Sequence, residues 1–366
     1  MIFWIEEYID ISYGHLFNDL KKGETDLKLP GYSYFLSLLI NLCEGAEILS
    51  IDDIIEHLIQ NKGHLSFQIH TSGTTSTPKS IGVKMSNCIR YVKTKEEKKK
   101  SVWGMGYPVG SFASTQVFFQ SLINKETIVY LFGIDFKSVD KVFSRHNITN
   151  LSCTPTFLSM LLINLEKAYP SVKKITTGGE KIKDNLIQSF KKTFISSEYI
   201  NIYASTETGS LLYSKSEYFS IPEKYKSHIK VEDDTLWVHK SLLNEVDYMI
   251  QEWYDTNDVV EFVNDSQFRF VSRSNGYLNT GGFRISPSEI EDNIMTINGV
   301  VDVHVYGKPN SLLGTIICAD IIGDEIIVKR IKKELMKLTE KHKVPQIIRV
   351  VNSFEYVSNG KKKLMI

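Results

Sequence analysis

Short β-branched runs that stop at polar, glycine-bearing turns constrain this chain more than any other feature. "VKKITTGGE" (Val172–Glu180) runs into paired glycines, and "YINIYASTETG" (Tyr199–Gly209) ends in a turn of hydroxyls and a carboxylate. Upstream, "ITNLSCTPT" (Ile148–Thr156) supplies another short strand. It lies between the amphipathic pattern "SVDKVFSRHN" (Ser138–Asn147), which starts at a serine cap, and the helical "FLSMLLINLEKAY". Strands alternating with helices predict an α/β protein. Ligands of open α/β sheets sit beyond the carboxyl ends of the strands, so both polar turns are candidate ligand positions.

A third polar segment is "HTSGTTSTPKSIG" (His70–Gly82). It differs by one residue from the phosphate-loop pattern G-x-x-x-x-G-K-[ST]. Pro78 occupies the position of the second glycine. Its φ is fixed and it has no N–H to offer a phosphate, which excludes a loop of that class. Thr71, Ser72, Thr74, Thr75, Ser76 and Thr77 still place six hydroxyls in seven positions around Gly73, with Lys79 behind them. Apolar residues of strand type flank the segment, in Leu65–Ile69 and Val83–Met85, so it reads as a flap between two strands. On the residues alone, a polyphosphate flap and a solvated Ser/Thr turn are equally open.

Lys+Arg and Asp+Glu are both 43, so no overall field favours nucleic acid or a membrane surface. Cys43, Cys88, Cys153 and Cys318 are isolated, without metal-ligand spacing, as lone thiols of a reducing cytoplasm are. The N-terminus has no signal-peptide pattern, and the longest apolar stretch, Tyr34–Cys43, is too short to span a bilayer. With 366 residues the chain is long enough for two domains. Beyond about residue 275 the texture becomes glycine- and serine-bearing, then compact: "GVVDVHVYG", "TIICADII", a helix over Ile326–Lys343 and "QIIRVVNSF". The expected domains are 1–274 and 275–366.

Five separated stretches, "HTSGTTSTPKSIG", "ITTGGEKI", "NIYASTETG", "WYDTNDVV" and "SRSNGYLNTGGFRISPSEIE", fall in one order. In that order the chain resembles the adenylate-forming superfamily of acyl-CoA synthetases, peptide-synthetase adenylation domains and luciferases. The terminal "YVSNGKKKLMI" is similar to the superfamily's closing lysine motif, and "ISYGHLFNDL" and "LLINLCEGAEILSID" echo two weaker elements. The resemblance implies a large, multi-subdomain ATP-binding domain and a small, mobile α+β lid. It also implies ATP, Mg²⁺ and a small carboxylic acid as reactants, with coenzyme A or a phosphopantetheine arm as acceptor. A carboxylate attacks the α-phosphorus, pyrophosphate leaves, and a thiol then displaces AMP.

Carried over residue by residue, Thr71, Ser72, Gly73, Thr74, Thr75 and Lys79 would hold the β- and γ-phosphates. Glu207 would ligate Mg²⁺ and Thr206 contact the α-phosphate. Gly179, Glu180, Tyr203 and Ala204 fall where the family lays the adenine. Asp258 matches the aspartate that accepts both ribose hydroxyls, with Arg273 beside it and Arg284 following in "GGFRIS". Asn275 takes the hinge position, and Lys361 that of the catalytic lysine.

Three of these have a plain alternative: Glu207 as a helix-start carboxylate, Asp258 as a turn former, Lys361–Lys363 as a basic tail. Ser76, Ser80 and Ala204 stand where the family favours glycine. About 70 residues precede the hydroxyl-rich turn and about 50 separate Glu207 from Asp258, so the first subdomain is condensed. In "GYPVGSFASTQVFFQSLIN" (Gly106–Asn124), Ser111, Phe112 and Ser114 fall at the acyl pocket, with Phe118 and Phe119 as lining or plain core. No carboxylate occurs there, as a site for an α-ammonium group would require. A non-catalytic scaffold, an amine acceptor, an acyl carrier protein and a homo-oligomer all stay open.

Overall fold

The computed structural model of the protein describes residues 2–6, 9–71, 79–94, 101–182, 184–245, 251–273, 278–280, 283–310, 314–323, 327–351 and 354. Contacts divide them into two compact units, 1–219 with 239–252, and 220–238 with 253–357.

The first unit opens with β1 (Ile2–Glu6), β2 (Ile9–Ser12), α1 (Tyr13–Lys22), α2 (Pro30–Leu42) and α3 (Ile51–Gln60). A hairpin of β3 (Ser66–Thr71) and β4 (Lys79–Lys84) follows, paired from Ser66↔Lys84 to Thr71↔Lys79, and then the single turn α4 (Met85–Cys88). The strands expected on either side of the hydroxyl-rich segment are therefore present. Next come β5 (Val102–Gly106), α5 (Phe112–Ile123), β6 (Thr127–Tyr130), α6 (Val139–His146), β7 (Asn150–Cys153) and α7 (Pro155–Asn164). The unit continues with β8 (Lys174–Gly178), α8 (Asp184–Thr193), β9 (Glu198–Ser205), β10 (Gly209–Ser214) and β11 (Tyr218–Phe219).

Eight strands form one sheet in the order β10-β9-β8-β7-β5-β6-β1-β2, with every pairing from β9 to β1 parallel and both edge strands antiparallel. Helices cover it. Phe35, Leu36, Ile54, Leu58, Phe118 and Phe119 belong to one hydrophobic cluster, and Phe143, Leu158 and Phe190 to another. Burial on both sides explains why β7 is buried at all four positions. Phe118 lies stacked on Phe35 at 4.2 Å between ring centroids, so it and Phe119 belong to the core.

The chain runs from β5 through α5 to β6 on one side. It then crosses back through α6 to β7 and proceeds to β8 and β9 on the other side. The direction of travel reverses between β5 and β7, the topological switch point where open sheets gape.

Two local readings change. Ser138 does not cap α6 through its hydroxyl, which donates to the Asp135 carbonyl at 2.7 Å because a 3₁₀ turn, Phe136–Ser138, precedes the helix. The helix expected over Ile326–Lys343 is shorter.

In the second unit β12 (Ile229–Glu232), β13 (Thr235–His239), β14 (Trp253–Asn264) and β15 (Gln267–Arg273) share a sheet. The hairpin β16 (Leu278–Thr280) and β17 (Phe283–Ile285) leads to α9 (Pro287–Met295), β18 (Val300–Asn310) and β19 (Gly314–Gly323). There α10 spans Ile327–Leu338, a 3₁₀ turn covers Lys341–Lys343, and β20 (Ile347–Val350) completes a sheet ordered β18-β19-β20. Ile290, Ile294, Val303, Ile317, Ile331 and Leu335 form its core. Among the described residues no helix is long and apolar enough to cross a membrane.

Candidate active site

At the switch point β5 ends on Gly106, opposite Cys153 of β7. A Cβ at Gly106 would stand 2.5 Å from the Phe157 ring and 2.8 Å from the Cys153 Cβ, so only glycine passes there. Tyr107 follows, buried, donating to the Cys153 carbonyl at 2.8 Å. Burial holds its phenol well above the usual range, and it stays neutral. Ser111 caps α5, accepting from Ser114 N at 3.1 Å and donating to the Pro108 carbonyl at 2.8 Å. Ser114 is fully buried and donates to the Ser111 carbonyl, and Phe112 is buried too. The structure thus engages both serine hydroxyls assigned to the acyl pocket in the first turn of a helix.

Past β8, Gly179 takes the left-handed conformation (φ +83°). Glu180 turns back to accept from Thr156 N at 3.0 Å, so its carboxylate caps the first turn of α7. On β9, Tyr203 pairs with Leu212 and Ala204 with Ser210, across an irregular register in β10.

The turn Ser205–Thr208 carries two kinds of polar side chain. Ser205 and Thr208 satisfy each other, hydroxyl to hydroxyl at 3.1 Å and Thr208 N to Ser205 Oγ at 3.1 Å. Thr206 and Glu207 make no side-chain hydrogen bond or ion pair among the described residues, and both are half-buried. A carboxylate in that condition on a fixed backbone fits a hard cation whose other ligands are phosphate oxygens and water. No three His, Cys, Asp or Glu side chains gather into a metal site among the described residues.

The backbone of that turn is fixed by residues that the sequence did not single out. Asn244 Nδ2 donates to the Thr206 carbonyl, and Asn244 N to the Glu207 carbonyl, each at 2.7 Å. The Asn244 Oδ1 accepts from Lys84 N at 3.1 Å and from Asn87 Nδ2 at 2.9 Å. Arg90 donates to Asn87 Oδ1 and to the carbonyls of Leu242, Thr208 and Ser210. An antiparallel bridge, Gly82↔Glu245, ties the same segment to β4. Asn244 lies 157 residues from Asn87, and no local pattern marks such a partnership.

In the second unit Asp258 and Arg273 are register partners across β14 and β15. Asp258 is buried, and its N–H donates to Thr256 Oγ1 at 3.2 Å. Just before it Asn257 has φ +58°, held by an N–H bond to Asp255 at 2.7 Å, a kink that re-aims the strand at Asp258. Arg284 lies on β17 opposite Asn279. Thr71 and Lys79 are placed by backbone as the closing pair of the β3–β4 hairpin. Ser80, one of the glycine replacements, donates to Gln68 at 2.9 Å. Ser72, Gly73, Thr74, Thr75, Asn275 and Lys361 lie outside the described residues.

The family model for AMP-binding enzymes matches residues 38–232, and that for the AMP-binding enzyme C-terminal domain matches 289–361. Bacitracin synthase 3 of Bacillus licheniformis is 24% identical over 349 residues, covering 82% of this chain and 6% of that protein. The 2-succinylbenzoate–CoA ligase of Listeria monocytogenes is 23% identical over 327 residues, covering 80% of this chain and 67% of the ligase. The chain thus spans a small part of the peptide synthase and about two thirds of the ligase. The solved o-succinylbenzoate CoA synthetase of Bacillus subtilis, in complex with its acyl-adenylate intermediate, superposes with a TM-score of 0.66 at 16% identity. It covers 99% of this chain and 94% of that one, a likeness of fold.

Proposed function

Because the chain belongs to the AMP-binding enzyme family, we propose that it joins a carboxylic acid to AMP at the expense of ATP and passes the acyl group to a thiol. In the first step a carboxylate oxygen bonds to the α-phosphorus and the bond to pyrophosphate breaks. In the second, a thiolate of coenzyme A or of a phosphopantetheine arm takes the acyl carbon and AMP leaves. The observation that carries this reading is the Ser205–Thr208 turn. It lies at the carboxyl end of a parallel strand and offers an unengaged hydroxyl and carboxylate on a clamped backbone.

Displacement at phosphorus asks the protein for position and charge rather than a covalent nucleophile. Thr206 would donate to an α-phosphate oxygen as negative charge gathers there. Glu207 would hold the Mg²⁺ of the nucleotide, which supplies neutralisation of the phosphate oxygens when bound. Asp258 and Arg273 would hold the ribose, and the segment from Thr71 to Lys79 would close on the outer phosphates.

The acid would carry a neutral tail. No carboxylate occurs from Gly106 to Asn124, and an α-ammonium group buried there without a counter-charge would be costly by several kcal/mol. Buried, unpaired thiols fit a reducing compartment, the cytoplasm. An acyl carrier protein and a second copy of the chain are partners compatible with this reading.

The test is acid-dependent exchange of labelled pyrophosphate into ATP across short acyl, hydroxyacyl and aryl acids and the common amino acids. The expected result is exchange with a neutral-tailed acid at the top of the ranking. An amino acid at the top overturns the assignment of the tail. Absence of exchange with every acid, together with absence of ATP binding, overturns the activity.

A further inference from the structure

We infer that Asn244 is a positioning residue that sets the Thr206–Glu207 turn against the return strand of the hydroxyl-rich hairpin; this rests on the adenylation reading given above.

One side chain spans two elements far apart in sequence. Its Nδ2 and its own N–H reach the consecutive carbonyls of Thr206 and Glu207, each at 2.7 Å. Its Oδ1 takes the N–H of Lys84, the last residue of β4, at 3.1 Å. Both ends have fixed polarity, since a backbone N–H can only donate and a carbonyl only accept, so the amide has one orientation. Asn244 is 3% exposed, and none of its bonds is exchanged for water without leaving a buried group unpaired.

Asn87 and Arg90 brace it. Asn87 Nδ2 gives Oδ1 its second donor at 2.9 Å, and Arg90 Nη2 holds Asn87 Oδ1 at 2.6 Å. Arg90 also reaches the carbonyls of Thr208 and Ser210, on the far side of the same turn. Its four acceptors among the described residues are neutral oxygens. The bridge Gly82↔Glu245 adds two backbone bonds, at 2.8 and 3.3 Å, between β4 and the residue next to Asn244.

Chemistry in this family reading depends on distances. Thr206 and Glu207 act on the α-phosphate and its cation, while the hairpin closed by β4 acts on the outer phosphates. Asn244 bonds to the backbone of both and so fixes their spacing. A misplacement of about 1 Å costs on the order of a hundredfold in rate, and this bond set is the device that prevents it.

The experiment uses the full chain and its best acid. Asn244→Asp keeps the shape and the Oδ1 contacts to Lys84 and Asn87, but turns an acceptor towards the Thr206 carbonyl. Asn244→Ala removes both ends, and if it fails to fold the aspartate variant carries the test. Pyrophosphate exchange is measured against Mg²⁺ and against the acid, with thermal unfolding alongside. The expected outcome is a kcat lower by about tenfold or more, a half-saturating Mg²⁺ concentration raised severalfold, and an acid KM within about threefold of wild type.

The Mg²⁺ arm separates displacement from charge, because an added carboxylate acting only as a charge would lower the half-saturating concentration. A folded Asn244→Asp with wild-type kcat overturns the inference. So does a lower kcat with unchanged or lowered Mg²⁺ requirement. Wild-type protein that exchanges with no acid overturns the adenylation reading, and the inference with it.

Discussion

Glu207 shows what a single residue can reveal and conceal. The polar turn at a strand end marked it as a candidate ligand position, and only the family resemblance gave it a cation to hold. Its condition was not legible. Only the structure shows that the Glu207 carbonyl is bound while the carboxylate makes no bond among the described residues. Glu180 is the opposite case. It has the same residue type at the end of a neighbouring strand, yet its carboxylate caps α7 through Thr156 N. A sequence cannot separate the two, since both are acids in glycine-bearing turns and the difference lies in which helix end is near. The contrast leads to a paired prediction. Glu207→Gln should leave the thermal unfolding temperature near wild type and lower pyrophosphate exchange by about a hundredfold. Glu180→Gln should shift stability more than Glu207→Gln does, because it weakens a charged cap worth about 1 kcal/mol. Retention of more than about a tenth of wild-type exchange in Glu207→Gln would remove that residue from the metal role.

At the level of elements, strands β7, β8 and β9 were legible because short runs with β-branched residues in or beside them stop at polar turns and stand out against the helices between them. Strand β5 was not. Its sequence, "VWGMG", alternates glycine with large side chains and has no β-branched run. The structure supplies the reason: a Cβ at Gly104 would meet Leu131 at 2.8 Å, and one at Gly106 would meet Phe157 at 2.5 Å. The glycines are close approaches of neighbouring layers. Glu6, which ends β1, is a buried carboxylate, accepting from Trp4 Nε1 at 2.9 Å and from the N–H groups of Gly31 and Tyr32 at the start of α2. Gly106→Ala is therefore expected to cost about 1–3 kcal/mol by overpacking, lowering the unfolding temperature by several degrees. Gly63→Ala is the control, because a Cβ there meets nothing within 4 Å. Equal unfolding temperatures for the two variants would show that the β5–β7 junction can relax.

For the whole molecule, the alternation of strands and helices announced the α/β class, and the order of the motifs announced the family that the matching models identify. The boundary expected at 274/275, with Asn275 as hinge, remains a proposal. Contacts group the sheet β12–β15 with the C-terminal segment, a grouping invisible in sequence because its strands have the same texture as those before it. The proposal has a kinetic consequence. If the small domain serves the two half-reactions in two orientations, a residue carried on it acts in one of them only. Lys361 follows Gly360 in the terminal motif and would neutralise the carboxylate and α-phosphate as they meet; an attacking thiolate meets a carbonyl that is already activated and has no such need. Lys361→Ala should therefore lose acid-dependent pyrophosphate exchange by about a hundredfold while consuming chemically made acyl-adenylate with thiol at close to the wild-type rate. Both rates are measured on the same preparation, so a folding defect would appear in each. Equal loss of the two would assign Lys361 a structural role, and a harmless Lys361→Ala beside a crippling Lys362→Ala or Lys363→Ala would move the catalytic ammonium along the terminal lysine run.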